Sequence, residues 1–183
     1  MGGIASKGQL RWAFWRWAIV TVPLVLLLGF WSGNLAPSGN ENAWYAALAK
    51  PALTPPGWLF PVAWTTLYTL LGLAVAIVLN ARGARWRWPA VAMFAIEIAA
   101  LMIWSPLFFG AHKVLAAFGL ICFLVLWGIA TTVIFGRVRP LAAWLMVPFL
   151  VWISFAAMLN LGIHRLNPDA EAVAPGGRTT QML

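Results

Sequence analysis

Apolar residues in this chain gather in long blocks rather than recurring as a narrow stripe or alternating in pairs. Five blocks stand out, at 12–31, 58–79, 89–109, 114–135 and 141–163. Each is near the ~20 residues that a helix needs to cross a bilayer's hydrocarbon core. The segments NARGARWRWP, GAHK and GRVRP separate the later blocks, and Pro89 and Pro140 suit the first turn of a helix. The pattern predicts an all-α integral membrane protein, a five-transmembrane-helix bundle forming one domain over 12–165. A short N-terminal tail (1–11) precedes it, a long loop at 32–57 joins the first two spans, and a polar tail at 166–183 is expected to be disordered. Lys7, Arg11 and Arg16 ahead of an apolar core have the layout of a signal peptide. The core is long, however, and Asn34-Leu35-Ala36 is a weak cleavage site, so the first span is expected to be retained.

Composition agrees with lipid as the solvent. Hydrophobic residues make up 63% of the chain and charged ones 9%, against roughly 45–50% and about 25% in soluble domains. The net charge of +8 comes from short groups of Lys and Arg between the spans. That arrangement sets topology and leaves no contiguous polar surface for nucleic acid. Lys7, Arg11, Arg16, Arg82, Arg85, Arg87, Arg137 and Arg139 fall on one side, and Lys50, Lys113, Arg165 and Arg178 on the other. The imbalance places the N-terminus in the cytoplasm, with a bacterial cell membrane as the expected location. Trp12, Trp15, Trp17, Trp86 and Trp88 lie near span ends on the arginine-rich side, where indoles anchor to the interface. The single cysteine, Cys122, lies inside an apolar run and reads as a small buried hydrophobe.

Helical spacing then sorts the interior residues. Phe60, Trp64 and Tyr68 share one face of the second span, as either a packing seam or the wall of a polar-edged ligand site. On the third span Glu97, Leu101, Trp104 and Phe108 align, and Ala92, Ala95 and Ala99 form a small-residue stripe nearly opposite, a candidate helix or dimer contact. Glu97 is the only acidic residue within a span, so it is either a functional carboxyl or a hydrogen-bonded tie between helices. The fifth span aligns Trp152, Ala156 and Asn160. Gly29-FWS-Gly33 reads as generic close packing, and Pro23, Pro61, Pro106 and Pro148 each free a backbone carbonyl. No Ser/His/Asp set, paired carboxylates or phosphate loop appears. No residue is therefore assigned as catalytic or metal-ligating, and the two histidines, His112 and His164, read as structural.

The run from Trp44-Tyr45 through Lys50-Pro51, Pro55-Pro56, Trp58, Phe60-Pro61 and Trp64 to Tyr68 resembles the TspO/MBR family of tryptophan-rich sensory and translocator proteins. Trp104-Ser105-Pro106 with Phe108-Phe109-Gly110, and Pro148-Phe149-Leu150 with Trp152 and Leu159-Asn160, resemble its third- and fifth-helix signatures. The likeness spans about 44–165. It implies a five-helix bundle, a homodimer, and a cavity beneath the first loop that binds porphyrins such as protoporphyrin IX or benzodiazepine-like and lipid ligands, with no obligatory cofactor. It implies tetrapyrrole sensing or transport, with light-dependent porphyrin breakdown or transport of small lipophilic molecules as alternatives. The implied pocket takes Phe60, Trp64 and Tyr68, then Trp104 and Phe108, then Trp152, Ala156 and Asn160. Glu97 and Leu101 stand where relatives carry Gln and Asn. Trp44, Leu53, Pro55 and Pro56 would form the lid, and Leu53 replaces a customary aromatic, which weighs against the photochemical alternative. Leu161-Gly162 lacks the tyrosine of the animal cholesterol stretch, a weak motif in any case.

Overall fold

The computed structural model describes residues 7–172. Five long helices and one short one carry the chain: α1 (Lys7–Asn34), α2 (Ala43–Ala47), α3 (Leu59–Asn80), α4 (Arg87–Ser105), α5 (Val114–Val138) and α6 (Pro140–Leu166). Gly39–Glu41 forms a 3-10 turn before α2, and a π-helical turn, Pro106–Gly110, extends α4. All five long helices are long and apolar enough to span a membrane. Packing runs α1 on α3, α3 on α6, α6 on α5 and α5 on α4, with α4 also touching α1 and α3 to close the ring. Large apolar side chains such as Leu27, Leu126 and Trp144 face outward, an arrangement that lipid covers and water would not tolerate.

The close approaches occur where a side chain is missing. A Cβ on Gly72 would meet the Val22 backbone at 2.6 Å, so α1 and α3 touch main chain to main chain. There the Thr21 hydroxyl donates to the Gly72 carbonyl at 2.8 Å. A Cβ on Gly128 of α5 would meet Glu97 and Leu150, so α4 and α6 both close onto that glycine. Pro106 shows how proline chemistry serves the fold. Lacking an N–H, it cannot bond the Met102 carbonyl one turn back. The Ser32 hydroxyl of α1 donates to that carbonyl instead, at 2.6 Å.

Two sequence expectations change at the ends of the domain. The helix predicted from residue 12 begins at Lys7, and the tail predicted to be disordered is ordered through Ala172. Asn167 pairs twice with Ala49: its amide nitrogen donates to the Ala49 carbonyl at 2.9 Å and its amide oxygen accepts from the Ala49 N–H at 2.9 Å. The Trp44 indole N–H donates to the Ala170 carbonyl at 2.8 Å, and Lys113 pairs with Glu171 at 3.0 Å. Low local hydrophobicity predicted disorder, but these partners lie far away in sequence and were invisible to it. The rest of the expected tails, 1–6 and 173–183, lies outside the described residues.

Candidate functional site

Beyond the Val22–Gly72 contact of α1 and α3, a cavity of about 720 Å³ opens at the end of the bundle that carries the 35–58 loop. One wall is the α3 face formed by Phe60, Trp64 and Tyr68, the three residues that helical spacing grouped. Trp64 stacks on Tyr68 with ring centroids 5.2 Å apart. Leu101 and Trp104 of α4, with Ser105 and Phe109, form the opposite wall. Thr54, Pro55, Pro56 and Gly57 close the top, and Tyr45 and Lys50 stand at its side. The prolines hold this lid at low entropy cost, since their φ is fixed in any state of the chain. The Thr54 hydroxyl also donates to the Pro51 carbonyl at 2.7 Å, which tightens the turn.

The remaining expected site residues stand behind the walls or elsewhere. Phe108 is buried and stacks on Trp104 at 5.1 Å, supporting that wall from behind. Trp152 meets the α3 wall edge-on, 5.9 Å from Phe60 and 6.4 Å from Trp64. Ala156 and Asn160 do not line the cavity. Asn160 is buried, and its amide has no partner among the described residues. Trp44 is buried beneath His112, whose ring stacks on it at 4.4 Å, and Leu53 is exposed; neither lines the cavity. Glu97 lies away from it as well, fully buried between α4 and α5 against Gly128, near Thr131 but with no well-formed hydrogen bond to either carboxyl oxygen among the described residues. Ala92, Ala95 and Ala99 are exposed on the outer face of α4. Among the described residues no cluster of His, Cys, Asp or Glu is arranged to hold a metal.

Sequence reasoning missed the contribution of α1. Gly29, Phe30, Ser32 and Gly33 all line the cavity. The Tyr68 ring packs directly over Gly29, where any side chain would collide with it, while a Cβ on Gly33 would meet nothing. The GxxxG pair therefore does two jobs: one glycine accepts a wall residue and the other leaves space. Its spacing was visible, but not which face of α1 the cavity occupies. The π-helical turn was also missed, although Pro106 announced it; it brings Phe109 to the cavity and Phe108 behind Trp104.

The lid is tied down at its far end. Asn42 caps α2, its side chain accepting from the Tyr45 N–H at 3.0 Å and donating to the Phe109 carbonyl at 3.0 Å. Pro51 sits against Gly162 of α6, where a Cβ would approach it to 2.6 Å. The missing ring in Leu161-Gly162 is thus the space that a lid proline fills.

Known proteins resemble this chain in sequence. Residues 19–166 match the profile of the TspO/MBR family. Protein CrtK of Rhodobacter capsulatus is 39% identical over 137 residues, covering 73% of this chain and 84% of that protein. The tryptophan-rich protein TspO of Chlorobaculum tepidum is 39% identical over 153 residues, 80% of this chain and 93% of its own. The human translocator protein is 34% identical over 144 residues, 76% of this chain and 84% of its own. Five membrane-spanning helices, the aromatic cavity under a proline lid and this similarity lead to one conclusion: the chain is a member of the TspO/MBR family of multi-pass membrane proteins.

Proposed function

We propose that this protein is a membrane receptor or sensor that binds tetrapyrroles, of the protoporphyrin IX type, in the lidded cavity. The observation that carries the reading is the pair of facing aromatic walls, Phe60-Trp64-Tyr68 and Trp104-Phe109, around about 720 Å³. That volume falls within the ~300–1,000 Å³ of small-molecule sites, and flat faces favour a flat conjugated ligand. Among the described residues Lys50 is the one cation lining the cavity and suits a carboxylate at a porphyrin edge, while Glu41 lines the rim as well and suits a donor. The buried Trp104 indole N–H lies in the wall without a partner among the described residues and suits an acceptor on the ligand. The reading extends to a homodimer through Ala92, Ala95 and Ala99, and to a bacterial cell membrane with the N-terminus on the cytoplasmic side.

Titration of the detergent-solubilised protein with protoporphyrin IX, followed by tryptophan fluorescence, tests it. Saturable quenching is expected, and it is expected to weaken in Trp64→Ala plus Trp152→Ala. Quenching no greater than the inner-filter effect, or unchanged by that pair, refutes the assignment.

A further inference from the structure

The end of the bundle opposite the lid carries arginines without acids. Arg82, Arg85 and Arg87 lie at the α3–α4 turn, and Arg137 and Arg139 at the α5–α6 junction. The chain has four acidic residues, and none is here: Glu41 is in the lid loop, Asp169 and Glu171 follow α6, and Glu97 lies ten residues along α4 from Arg87, about 15 Å at the helical rise. What organises the cations is indole. The Arg85 guanidinium lies 5.5 Å from the centre of Trp86, and that of Arg137 lies 5.4 Å from the same ring. Two arginines from different connections thus converge on one side chain. Arg87 lies 4.7 Å from the centre of Trp88, which is 64% exposed. The Arg87 Nε–H is buried and has no hydrogen-bond partner among the described residues.

We propose that this end is a binding site for the phosphate headgroup of an anionic phospholipid, centred on Trp86. Topology alone requires positive charge on one side of the membrane but no particular arrangement of it. Here the arrangement is specific. Stacking on an indole holds a guanidinium's face and leaves its edge donors free, and those donors match phosphate in a bidentate fork. Both helices that start here, α4 and α6, have no acidic residue in their first turn and no side-chain cap, so their positive ends add to the field. The unpartnered Arg87 donor needs an acceptor, and a headgroup oxygen supplies one. Exposed indoles such as that of Trp88 favour the depth where acyl chains meet headgroups. The occupant is a lipid rather than a soluble anion because the site joins its cations to an exposed indole, Trp88, which an acyl chain covers and a free anion does not.

Native mass spectrometry of the full chain, with phosphatidylglycerol and phosphatidylcholine of matched acyl chains, tests this. Phosphatidylglycerol is expected to be retained selectively. Arg85→Ala plus Arg137→Ala is expected to weaken its retention about thirtyfold, taking about 1 kcal/mol for each cation at the surface and 1.4 kcal/mol per decade. Arg85→Lys plus Arg137→Lys keeps the charge without the fork and is expected to weaken it several-fold. Lys113→Ala, at the opposite end, is expected to leave it unchanged. Equal retention of the two lipids overturns the proposal, as does a loss matched by Lys113→Ala or displacement of the lipid by millimolar inorganic phosphate. So does wild-type retention in the alanine pair or, should that pair fail to fold, in the lysine pair.

Discussion

The two ends of this bundle are held together by different forces. At the lid end, directional bonds dominate. Asn42 ties α2 to the π-helical turn, Asn167 pairs with Ala49, and Trp44 donates to Ala170. These fix positions to within hydrogen-bond tolerance, as a shaped cavity requires. At the arginine end the side chains rest mainly on indole faces, with 4.7–5.5 Å between guanidinium carbon and ring centre. Such contacts are broad in angle and keep charge available. One end is built to hold a shape and the other to present a field. Between them, α1 and α3 meet at Gly72 with no side chain to absorb a change.

That contrast can be broken in graded ways. The largest effect is expected from Gly72→Val. Its side chain would press on the Val22 backbone, and overpacking of this kind costs about 1–3 kcal/mol or more. Because the contact supports both ends, thermal unfolding in detergent should shift downward, with ligand and lipid retention both falling. Next comes Trp64→Ala plus Trp152→Ala, which removes one wall ring and the ring behind it. We expect porphyrin affinity to fall about tenfold or more, near 1.4 kcal/mol, while phosphatidylglycerol retention stays at the wild-type level. Asn167→Ala should act at the lid end alone. It removes both bonds to Ala49 and a third to the Ile163 carbonyl, each worth about 0.5–1.5 kcal/mol, and faster amide exchange across residues 48–57 should reveal the loss, with no change at 82–88. The smallest effect belongs to Lys113→Ala. Its pair with Glu171 is exposed, with side-chain exposures of 54% and 43%, and exposed pairs contribute about 0–1 kcal/mol. A shift in melting temperature of a degree or so at most is expected.

Where the sequence was legible, the signal was local. Apolar length placed the second span at 58–79, against the observed Leu59–Asn80, because lipid solvation depends on each segment's own composition. Helical spacing likewise grouped Phe60, Trp64 and Tyr68 on one cavity wall. Local signals failed where the partner is remote. Trp152, Ala156 and Asn160 do share a face of α6, but periodicity says nothing of how far that face stands from the cavity. In the fold Trp152 is a second layer, and Asn160 is buried without lining the cavity. Glu97 was aligned with Trp104 by spacing, yet Gly128 on another helix draws it to the α4–α5 contact. A missing side chain on α5 decided where a carboxyl on α4 went. The short helix α2 was not expected inside the 32–57 loop, although the structure caps it with Asn42, whose side chain accepts from the Tyr45 N–H.

The separation of a shape-holding end from a field-presenting end is tested most directly by amide exchange with and without protoporphyrin IX in neutral-lipid nanodiscs. Porphyrin is expected to slow exchange at 29–34 of α1 and 48–57 of the lid, and to leave 82–88 and 136–140 unchanged. Protection at the arginine end, or no protection at the lid, would contradict it.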